Sequence, residues 1–351
     1  MRICILGATG LVGRESITLI RRAWPTAEII GFASGRKQLE HGGETFDVLG
    51  AAELERDDAP KGDLALVALD DEYSKRYVPR LLELGYHVVD KSNTYRMDPQ
   101  VPLVSAGVNC GVVTADTKLV ANPNCTTIPF TMAATALGHA FGLQSVAISS
   151  YQAISGAGIG PLDAFLEDTR SGYAEANRIG TQLDPAKYAG NTVPHNGKTD
   201  DSGFSSEERK LMHESRKILD DAGLAVSAQC CRVPVAVGHY MNAWVELKHA
   251  ASLADIEGAL QKSDAAPFLR VSPGPVGEGV SALACVHDRD RALVGRLRLD
   301  PRDASGKTVC LTVAADNLRL GAATNAVRIA SRWFASEDPE LQAPGNVPAG
   351  S

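Results

Sequence analysis

The sequence has no long apolar run and no cluster of basic residues. No window of its 351 residues approaches roughly 18 apolar residues without a charge, so we expect no transmembrane helix. The opening MRICILGATG lacks the charged leader, apolar stretch and cleavage site of a signal peptide, and it is typical of a strand that begins at residue 2. Lysine and arginine are dispersed and the formal net charge is -7, which argues against nucleic acid as a partner.

Cysteine is also scarce, and its spacing is irregular. The seven cysteines are Cys4, Cys110, Cys125, Cys230, Cys231, Cys285 and Cys310. An odd number of scattered cysteines favours neither a disulfide framework nor a zinc site, so we expect no metal and a reducing, cytoplasmic compartment. Most of these thiols are expected to fill the core, since free cysteine is among the most buried residue types. Cys125 differs from the others because of its surroundings.

The length and composition indicate a globular protein with two domains. At roughly 150 residues per domain, 351 residues are enough for two, each with its own core. Hydrophobic residues make up 44% and charged residues 22%, which is ordinary for a soluble protein, so the function has to be sought in local motifs.

The N-terminal segment RICILGATGLVGRESITLIRRA is typical of a nucleotide-binding loop. A short apolar strand is followed by Gly7, Gly10 and Gly13, and then by an apolar stripe with helical spacing. Glycines at such a turn let the backbone approach a pyrophosphate, which then rests on the helix N-terminus. The G-x-x-G-x-x-G spacing is a variant of the usual dinucleotide fingerprint, and its position between strand and helix makes the signal specific.

The next strand, AEIIGFAS, bears on which nicotinamide nucleotide is bound. An NAD-binding fold usually carries an acidic residue near this strand end for the ribose 2′-hydroxyl, whereas a basic residue favours the 2′-phosphate of NADP. This strand ends at Ser34, and Arg36 and Lys37 follow it. We therefore predict NADP as the cofactor. The alternative is a solvated basic turn without a ligand.

The following segments predict the fold class. DLALVALD and HVVDKS are short apolar runs with helix-like YSKRYVPRLLELG between them, and KLVANPN is a later strand of the same kind. This alternation is typical of a parallel sheet built from βαβ units. We predict an α/β fold with a Rossmann-type doubly wound sheet, followed by a mixed α+β domain.

Cys125 stands in the stretch LVANPNCTTI, where a strand and an Asn-Pro-Asn turn lead into a helix-compatible segment. Pro129 is tolerated because it falls in the first helical turn. Unpaired N–H groups and the dipole at a helix N-terminus lower the pKa of a thiol and can stabilise an oxyanion. The position favours a nucleophile for acyl transfer coupled to hydride transfer. The alternative is a core cysteine at a helix start.

A nucleophilic thiol requires a base, and His239 is the best candidate. It stands in CRVPVAVGHYMNAWVEL, on a Gly-His turn between two strand-like runs. Arg232 lies seven residues earlier, and its guanidinium suits a substrate carboxylate. His195, in TVPHNG, is a weaker rival. A purely structural role for His239 remains the alternative.

Several segments in order resemble the aspartate-β-semialdehyde dehydrogenase family over nearly the whole chain. They are GATGLVG, VVDKSNTYRMDPQVPLV, NPNCTT, YQAISGAG, SSEERKLMHESRKIL, RVPVAVGH and ADNLRLGAATNAVRIA. The resemblance implies that Cys125, His239 and Gln152 are the catalytic residues. It implies substrate and phosphate binding by Arg96, Asn124, Glu207, Lys210 and Arg232. With the loop analysis, it implies cofactor binding by Gly7, Thr9, Gly10, Leu11, Val12, Ser34, Arg36, Ser155, Gly156 and Asn325.

The activity implied by the resemblance is the NADP-dependent, phosphorylating oxidation of L-aspartate 4-semialdehyde to L-4-aspartyl phosphate, or its reverse. Cys125 would form a thioester, with His239 taking the proton, in the biosynthesis of lysine, threonine and methionine. Two alternatives are a relative that acts on another acyl phosphate, such as N-acetyl-glutamyl phosphate, and a non-catalytic binding paralogue. Glu207 and Lys210 argue against the first, and the intact set of catalytic residues argues against the second.

The resemblance also implies a domain arrangement and an assembly. An NADP-binding domain would span residues 1–127, completed by a C-terminal helix at 320–345, and a catalytic and dimerisation domain would span 128–319. A homodimer or homotetramer is expected. The segment from residue 336 to the end has the composition of a mobile tail.

The chain departs from the family pattern at two places that could alter the pocket. SAGVN, at 105–109, replaces the expected Val-Pro-Glu before Val-Asn, and Tyr240 replaces a serine beside His239.

Overall fold

The structure, a computed structural model, describes residues 1–173, 184, 186–194, 197–272 and 277–343. These residues divide into two compact units. Unit 1 comprises Met1–Asn124 together with the described residues from Gly321 onward, and unit 2 comprises the described residues from Cys125 to Leu320.

Unit 1 is built on a seven-stranded sheet. Its strands are β1 (Arg2–Leu6), β2 (Glu28–Ala33), β3 (Lys37–His41), β4 (Glu44–Gly50), β5 (Leu64–Val67), β6 (His87–Asp90) and β7 (Leu119–Ala121), in the spatial order β3-β4-β2-β1-β5-β6-β7. All neighbours pair in parallel except β3 and β4, which form an antiparallel hairpin. The sequence analysis predicted β1, β2, β5, β6 and β7 as strands, and it did not predict the hairpin of β3 and β4.

Helices cover both faces of this sheet. Successive residues of a strand point to opposite faces, so each strand contributes side chains to two separate cores. Ile3 and Ile5 pack with α1 (Leu11–Ala23) and α7 (Asn325–Ala330), whereas Cys4 and Leu6 pack with α2 (Asp71–Glu83). The two cores and the order of the strands confirm the predicted doubly wound parallel sheet.

The C-terminal part of unit 1 differs from the predicted helix at 320–345. A π-helical turn, Arg319–Thr324, precedes α7, which is only six residues long. Within the predicted mobile tail, residues 336–343 are packed, because Leu341 is fully buried in the core of unit 1 and Asp338 forms an ion pair with Arg22 at 2.7 Å. The rest of that tail, 344–351, lies outside the described residues.

Unit 2 contains a mixed seven-stranded sheet, which agrees with the predicted second domain class. Its strands are β8 (Leu143–Gln152), β9 (Val193–Pro194), β10 (Ala225–Arg232), β11 (His239–Leu247), β12 (Leu269–Val271), β13 (Ala292–Leu299) and β14 (Thr308–Ala315), in the order β12-β13-β14-β11-β8-β10-β9. The long central strands β8, β11 and β14 pair in antiparallel fashion, and β10 runs parallel to β8.

One face of this sheet is more open than the other. The helices among the described residues of unit 2 are α3 (Thr127–Phe141), α4 (Ile159–Arg170), α5 (Ser206–Ile218) and α6 (Leu253–Lys262), of which α3, α5 and α6 pack against strands of the sheet. Along β11, Met241, Ala243 and Val245 are buried, whereas the alternate residues Asn242 and Trp244 are half-buried. This alternation is expected for a sheet with one face turned to a core.

Candidate active site

The glycine-rich loop between β1 and α1 is shaped for close backbone approach. Gly7 has a φ of 84°, and a Cβ on Gly13 would lie 2.2 Å from the Gly7 carbonyl oxygen, so only glycine fits there. Gly10 precedes α1 without a side-chain cap. The N–H groups of the first helical turn have no partner within the helix, and they can donate to a pyrophosphate. The loop therefore fits a dinucleotide.

The other loop residues expected to bind cofactor lie at the start of α1. Leu11 and Val12 form its first turn, and the Thr9 carbonyl accepts a hydrogen bond from Arg14 Nε at 3.2 Å. This bond ties the loop to the helix that follows it.

Ser34 and Arg36 lie just beyond β2, as predicted from the sequence. Both are exposed, and the guanidinium of Arg36 forms a two-pronged ion pair with the Glu53 carboxylate. Glu53 also accepts a hydrogen bond from the Gly50 N–H at 2.9 Å. These hydrogen bonds, that from Arg36 above all, hold the pKa of Glu53 below its usual value. Sequence reasoning did not anticipate this carboxylate, because it comes from a 3₁₀ turn after β4.

Arg96 is buried, and neutral oxygens orient its guanidinium. Nε donates to the Asn122 carbonyl at 3.0 Å, Nη1 to the Asn93 side chain at 3.2 Å, and Nη2 to the Lys91 carbonyl at 2.5 Å. These three acceptors fix the direction in which the guanidinium points.

Asn325 and Asn122 form a buried amide network in unit 1. Asn325 Nδ2 donates to the Val104 carbonyl at 2.9 Å and to Asn122 Oδ1 at 2.8 Å, while Asn325 Oδ1 accepts from the Ala106 N–H at 2.8 Å. Its amide thus holds residue 122 and the segment around 104–106 in place. Ala106 stands where the family pattern has proline, and a proline there could not donate this hydrogen bond.

Cys125 lies directly before Thr126, the N-cap residue of α3, and Pro129 falls in the first turn of that helix. The Cys125 side chain is half-buried, and the preceding Asn124 is buried. Thr126 makes no side-chain cap. The cysteine therefore occupies the helix-start position that the sequence predicted.

Gln152, Glu207 and Lys210 form a hydrogen-bonded group in unit 2. Gln152, at the end of β8, donates to Glu207 Oε1 at 3.3 Å, and Lys210 Nζ lies 3.3 Å from Glu207 Oε2. Glu207 and Lys210 share one side of α5 because they are three residues apart. A capping box at Ser205 and Glu208 starts this helix and so sets the position of both side chains.

The backbone N–H and carbonyl of Ala153 contact His239 and Arg232, respectively. Its N–H donates to His239 Nδ1 at 3.0 Å, and its carbonyl accepts from Arg232 Nη1 at 2.7 Å. A Cβ on Gly156 would lie 2.9 Å from Arg232 Nη1 and 3.3 Å from His239 Nε2. Gly156 thus packs closely against both functional groups, and a larger residue there would force one of them to shift.

Tyr240, one of the two departures from the family pattern that could alter the pocket, points away from the side of β11 on which His239 lies. Successive residues of β11 point to opposite faces, and the ring of Tyr240 packs near Tyr151, with ring centroids 6.0 Å apart. His239, the first residue of the strand, is fully buried on the other face.

Asn317 is a buried residue of this site that sequence reasoning missed. Its Oδ1 accepts from the Gly238 N–H at 2.9 Å, and its Nδ2 donates to Ser155 Oγ at 3.0 Å. It links the turn before His239 to the segment that carries Ser155 and Gly156. The Asp-Asn pair in ADNLRLGAA was a possible signal, but no spacing rule connects it to residue 155.

The remaining sequence predictions concern the second candidate for the base, metal binding and membrane-spanning helices. His195, the weaker candidate for the base, lies outside the described residues. Within the part of the chain that the structure describes, no group of three or more His, Cys, Asp or Glu side chains could hold a metal ion. None of the helices among those same residues is long and apolar enough to cross a membrane.

Comparisons with known proteins find sequence similarity to semialdehyde dehydrogenases. Residues 2–115 match the family model "Semialdehyde dehydrogenase, NAD binding domain", and residues 135–320 match "Semialdehyde dehydrogenase, dimerisation domain". The aspartate-semialdehyde dehydrogenase of Aquifex aeolicus (strain VF5) is 34% identical over 336 residues, covering 94% of this chain and 96% of the relative.

Solved structures of aspartate semialdehyde dehydrogenases are also similar to this chain. The crystal structure of aspartate semialdehyde dehydrogenase II from Vibrio cholerae superposes with a TM-score of 0.83 at 30% identity, covering 94% of this chain and 97% of that one. A second structure of the Vibrio cholerae enzyme, complexed with ASA, has the same TM-score and coverage at 29% identity.

Proposed function

Because the chain belongs to the aspartate-semialdehyde dehydrogenase family, we propose that it interconverts L-aspartate 4-semialdehyde and L-4-aspartyl phosphate, with NADP as the cofactor. The chain is an aldehyde oxidoreductase with a nicotinamide-nucleotide-binding domain. The proposal adds the substrate, the phosphate co-substrate, the preference for NADP and a thioester on Cys125. It assigns the reaction to the biosynthesis of aspartate-derived amino acids.

The observation that carries the proposal is the grouping of three functional side chains around residues 152–156. Gln152 contacts Glu207, and the neighbouring peptide of Ala153 contacts both Arg232 and His239. An amino-acid semialdehyde offers a carboxylate for Arg232, an ammonium group for Glu207 and a carbonyl oxygen for His239. A substrate with an acylated amino group would offer no ammonium group to Glu207.

Covalent chemistry begins at Cys125. Its thiolate adds to the aldehyde carbon to form a thiohemiacetal, with Gln152 positioning the substrate. When bound, the nicotinamide cofactor accepts or supplies the hydride that interconverts the thiohemiacetal and the thioester. Phosphate then cleaves the thioester, which releases the acyl phosphate and regenerates the thiolate, and we assign Arg96 and Lys210 to the phosphate.

The preference for NADP rests on the strand end at Ser34. A serine hydroxyl and the exposed guanidinium of Arg36 suit a 2′-phosphate better than a 2′-hydroxyl. Arg36 has to share its charge between Glu53 and the phosphate, so the preference is expected to be moderate.

The open face of the unit 2 sheet is assigned to contact with a second copy of the chain. Tyr151, Tyr240 and Trp244 are half-buried there, and aromatic residues are enriched in interface cores. The match of residues 135–320 to a dimerisation domain supports a homodimer.

The decisive assay measures phosphate-dependent reduction of NADP with a panel of amino-acid semialdehydes. We expect the highest kcat/KM for L-aspartate 4-semialdehyde, and no turnover without phosphate or by the Cys125→Ala variant. A higher kcat/KM for an N-acetylated semialdehyde would reject the substrate assignment, and phosphate-independent turnover would reject the acyl phosphate product.

A further inference from the structure

Two carboxylates hold the loop that leads from β6 to Arg96. This loop, residues 91–94, directly follows Asp90, the last residue of β6. Asp90 accepts from the Ser92 N–H at 3.2 Å and from Ser92 Oγ at 2.7 Å. Asp90 and Ser92 are both buried, so these bonds fix the first part of the loop against the sheet.

Asp71, the first residue of α2, holds the second part of the loop. Its Oδ1 accepts from the Asn93 N–H at 2.7 Å, and its Oδ2 accepts from Asn93 Nδ2 at 3.3 Å. The Asp71 carbonyl also accepts from Thr94 Oγ1 at 3.2 Å. A carboxylate can serve the backbone N–H and the side-chain N–H of Asn93 together because both of its oxygens are acceptors.

The amide of Asn93 connects Asp71 to Arg96. Its Nδ2 donates to Asp71, and its Oδ1 accepts from Arg96 Nη1 at 3.2 Å. The amide cannot be reversed between these neighbours, since a carboxylate only accepts and a guanidinium only donates. Lys91 and Asn122 also supply acceptors to this guanidinium, but these are main-chain carbonyls. The oxygen of Asn93, in contrast, depends on its side chain.

We propose that Asp71 and Asn93 are positioning residues for phosphate. Asp71 holds the amide of Asn93 in one orientation, and that amide sets the direction of the Arg96 guanidinium. A guanidinium binds a phosphate through a rigid fork of N–H groups, so its affinity depends on how the fork is presented. The proposal rests on the proposed function, in which Arg96 binds phosphate.

The effect of Asp71 on phosphate is opposite to the effect of its charge. A carboxylate near an anion site repels the anion, so removing the charge of Asp71 should by itself strengthen phosphate binding. If Asp71 acts by positioning Arg96 through Asn93, its removal should weaken phosphate binding instead. The sign of the change therefore distinguishes the two roles.

The test measures phosphate-dependent reduction of NADP by Asn93→Ala and Asp71→Asn. Asn93→Ala removes an acceptor from Arg96, and Asn93 is exposed, so the core of unit 1 is left intact. Asp71→Asn leaves one oxygen for two N–H groups of Asn93, so the Asn93 amide loses its anchor. We expect KM for phosphate to rise at least about fivefold in both variants, which corresponds to one ordinary hydrogen bond. KM for the semialdehyde and for NADP should not change.

Asp70→Asn is the matched control. It removes the same charge one residue earlier, and asparagine can replace aspartate as the N-cap of α2. Its KM for phosphate should not rise. An equal rise in this control, or an equal rise in KM for the semialdehyde or NADP in the test variants, would show a general loosening and overturn the proposal. A lower KM for phosphate in Asp71→Asn would overturn it as well.

The double variant Asp71→Asn/Asn93→Ala tests whether the two residues act in series. If Asp71 acts through the amide of Asn93, the double variant should have the same KM for phosphate as Asn93→Ala, because the amide is already absent. If the effects of the two substitutions multiply, Asp71 acts independently of Asn93 and the proposal is rejected.

Direct binding of inorganic phosphate separates this proposal from the proposed function. Calorimetric titration gives Kd for phosphate without turnover, and Arg96→Ala should weaken this binding. If phosphate binds through Arg96 but L-aspartate 4-semialdehyde is not oxidised, the proposed function fails, and the Kd values of the Asp71 and Asn93 variants decide the positioning role. If the unmodified protein is active and phosphate Kd and KM are unchanged in both variants, the positioning role alone is rejected. Absence of both turnover and phosphate binding would reject both.

Discussion

At the scale of single residues, burial distinguishes Cys125 from most of the other thiols. Burial raises the pKa of Cys110, Cys230 and Cys285 to about 12, and it also raises the pKa of Cys4 and Cys310. A thiol is neutral below its pKa, so these five stay protonated near neutral pH and react slowly. Cys231 is half-buried and is the remaining competitor of Cys125.

We therefore predict that iodoacetamide at about pH 8 labels Cys125 first and that turnover is lost in step with this labelling. Substrate should slow the reaction, and peptide mapping by mass spectrometry measures it. Cys125→Ala should retain less than about one thousandth of the activity, because covalent catalysis needs the thiol. Cys231→Ser is the control and should remain active. Inactivation that tracks labelling of Cys231 would show that the nucleophile is misassigned.

The close packing of Gly156 yields a second prediction at this scale. Gly156→Ala would place a methyl group 2.9 Å from Arg232 Nη1 and 3.3 Å from His239 Nε2, so these side chains, and the substrate that we expect them to hold, would have to shift. A displacement of the substrate by about 1 Å can cost about 10²-fold, so kcat/KM should fall by roughly 10- to 100-fold. Gly160→Ala in α4 is the control, because a Cβ there meets nothing within 4 Å. Equal kinetics of the two variants would show that substrate does not approach Gly156.

The ion pair of Arg36 and Glu53 yields a prediction about the cofactor. The unmodified protein should prefer NADP to NAD by at least about tenfold in kcat/KM, because a charge-assisted contact to the 2′-phosphate is absent with NAD. Arg36→Ala should remove most of this preference by weakening NADP, and added salt should reduce it because the site is exposed. Glu53→Gln should increase the preference for NADP, since it removes the ion-pair partner of Arg36. Equal use of NADP and NAD by the unmodified protein would refute the assignment.

At the scale of elements, the start of α5 determines where Glu207 and Lys210 lie. Ser205 Oγ accepts from the Glu208 N–H at 3.3 Å, and Glu208 Oε2 accepts from the Ser205 N–H at 2.7 Å. Glu208 Oε1 also accepts from the Cys230 N–H at 2.9 Å, which ties the helix to β10. The cap therefore supports both the helix and the site.

Replacing this cap should affect stability and substrate binding together. Ser205→Ala should lower the free energy of unfolding by about 1 kcal/mol, measured by urea denaturation, and raise KM for the semialdehyde. Ser252→Ala is the matched control, because Ser252 caps α6 in the same way and that helix carries no proposed site residue. Its loss of stability should be similar and its KM unchanged. A rise in KM for both variants would point to a general loosening of unit 2.

At the scale of the whole molecule, the open face of the unit 2 sheet should hold two copies together. Trp244→Glu would place a charge in the middle of this face, on the central strand β11, and burying an unpaired charge is costly. We expect the unmodified protein to sediment as a dimer at micromolar concentration and the variant to dissociate. Leu299→Glu, at an exposed position of β13, is the control and should remain dimeric. Dimers of equal stability in both variants would place the interface elsewhere.

Local sequence patterns were sufficient to predict much of the architecture. The glycine loop, the alternating apolar runs and the helix start after Cys125 depend on interactions within a few residues, so the doubly wound sheet and the position of the thiol could be predicted from local sequence patterns. The Gly-His turn between two strand-like runs indicated His239 and Arg232, and the family motif indicated Glu207, so these three candidates could be named without a structure.

Tertiary structure alone decided how these groups are oriented. The pairing of Arg36 with Glu53, the contact of Ala153 with His239 and the link from Asn317 to Ser155 each join residues that are far apart in the chain. Their geometry depends on strand register and on the face to which each residue points, and composition and spacing do not encode these. The same register turned Tyr240 away from His239, because neighbouring residues of a strand must face opposite sides.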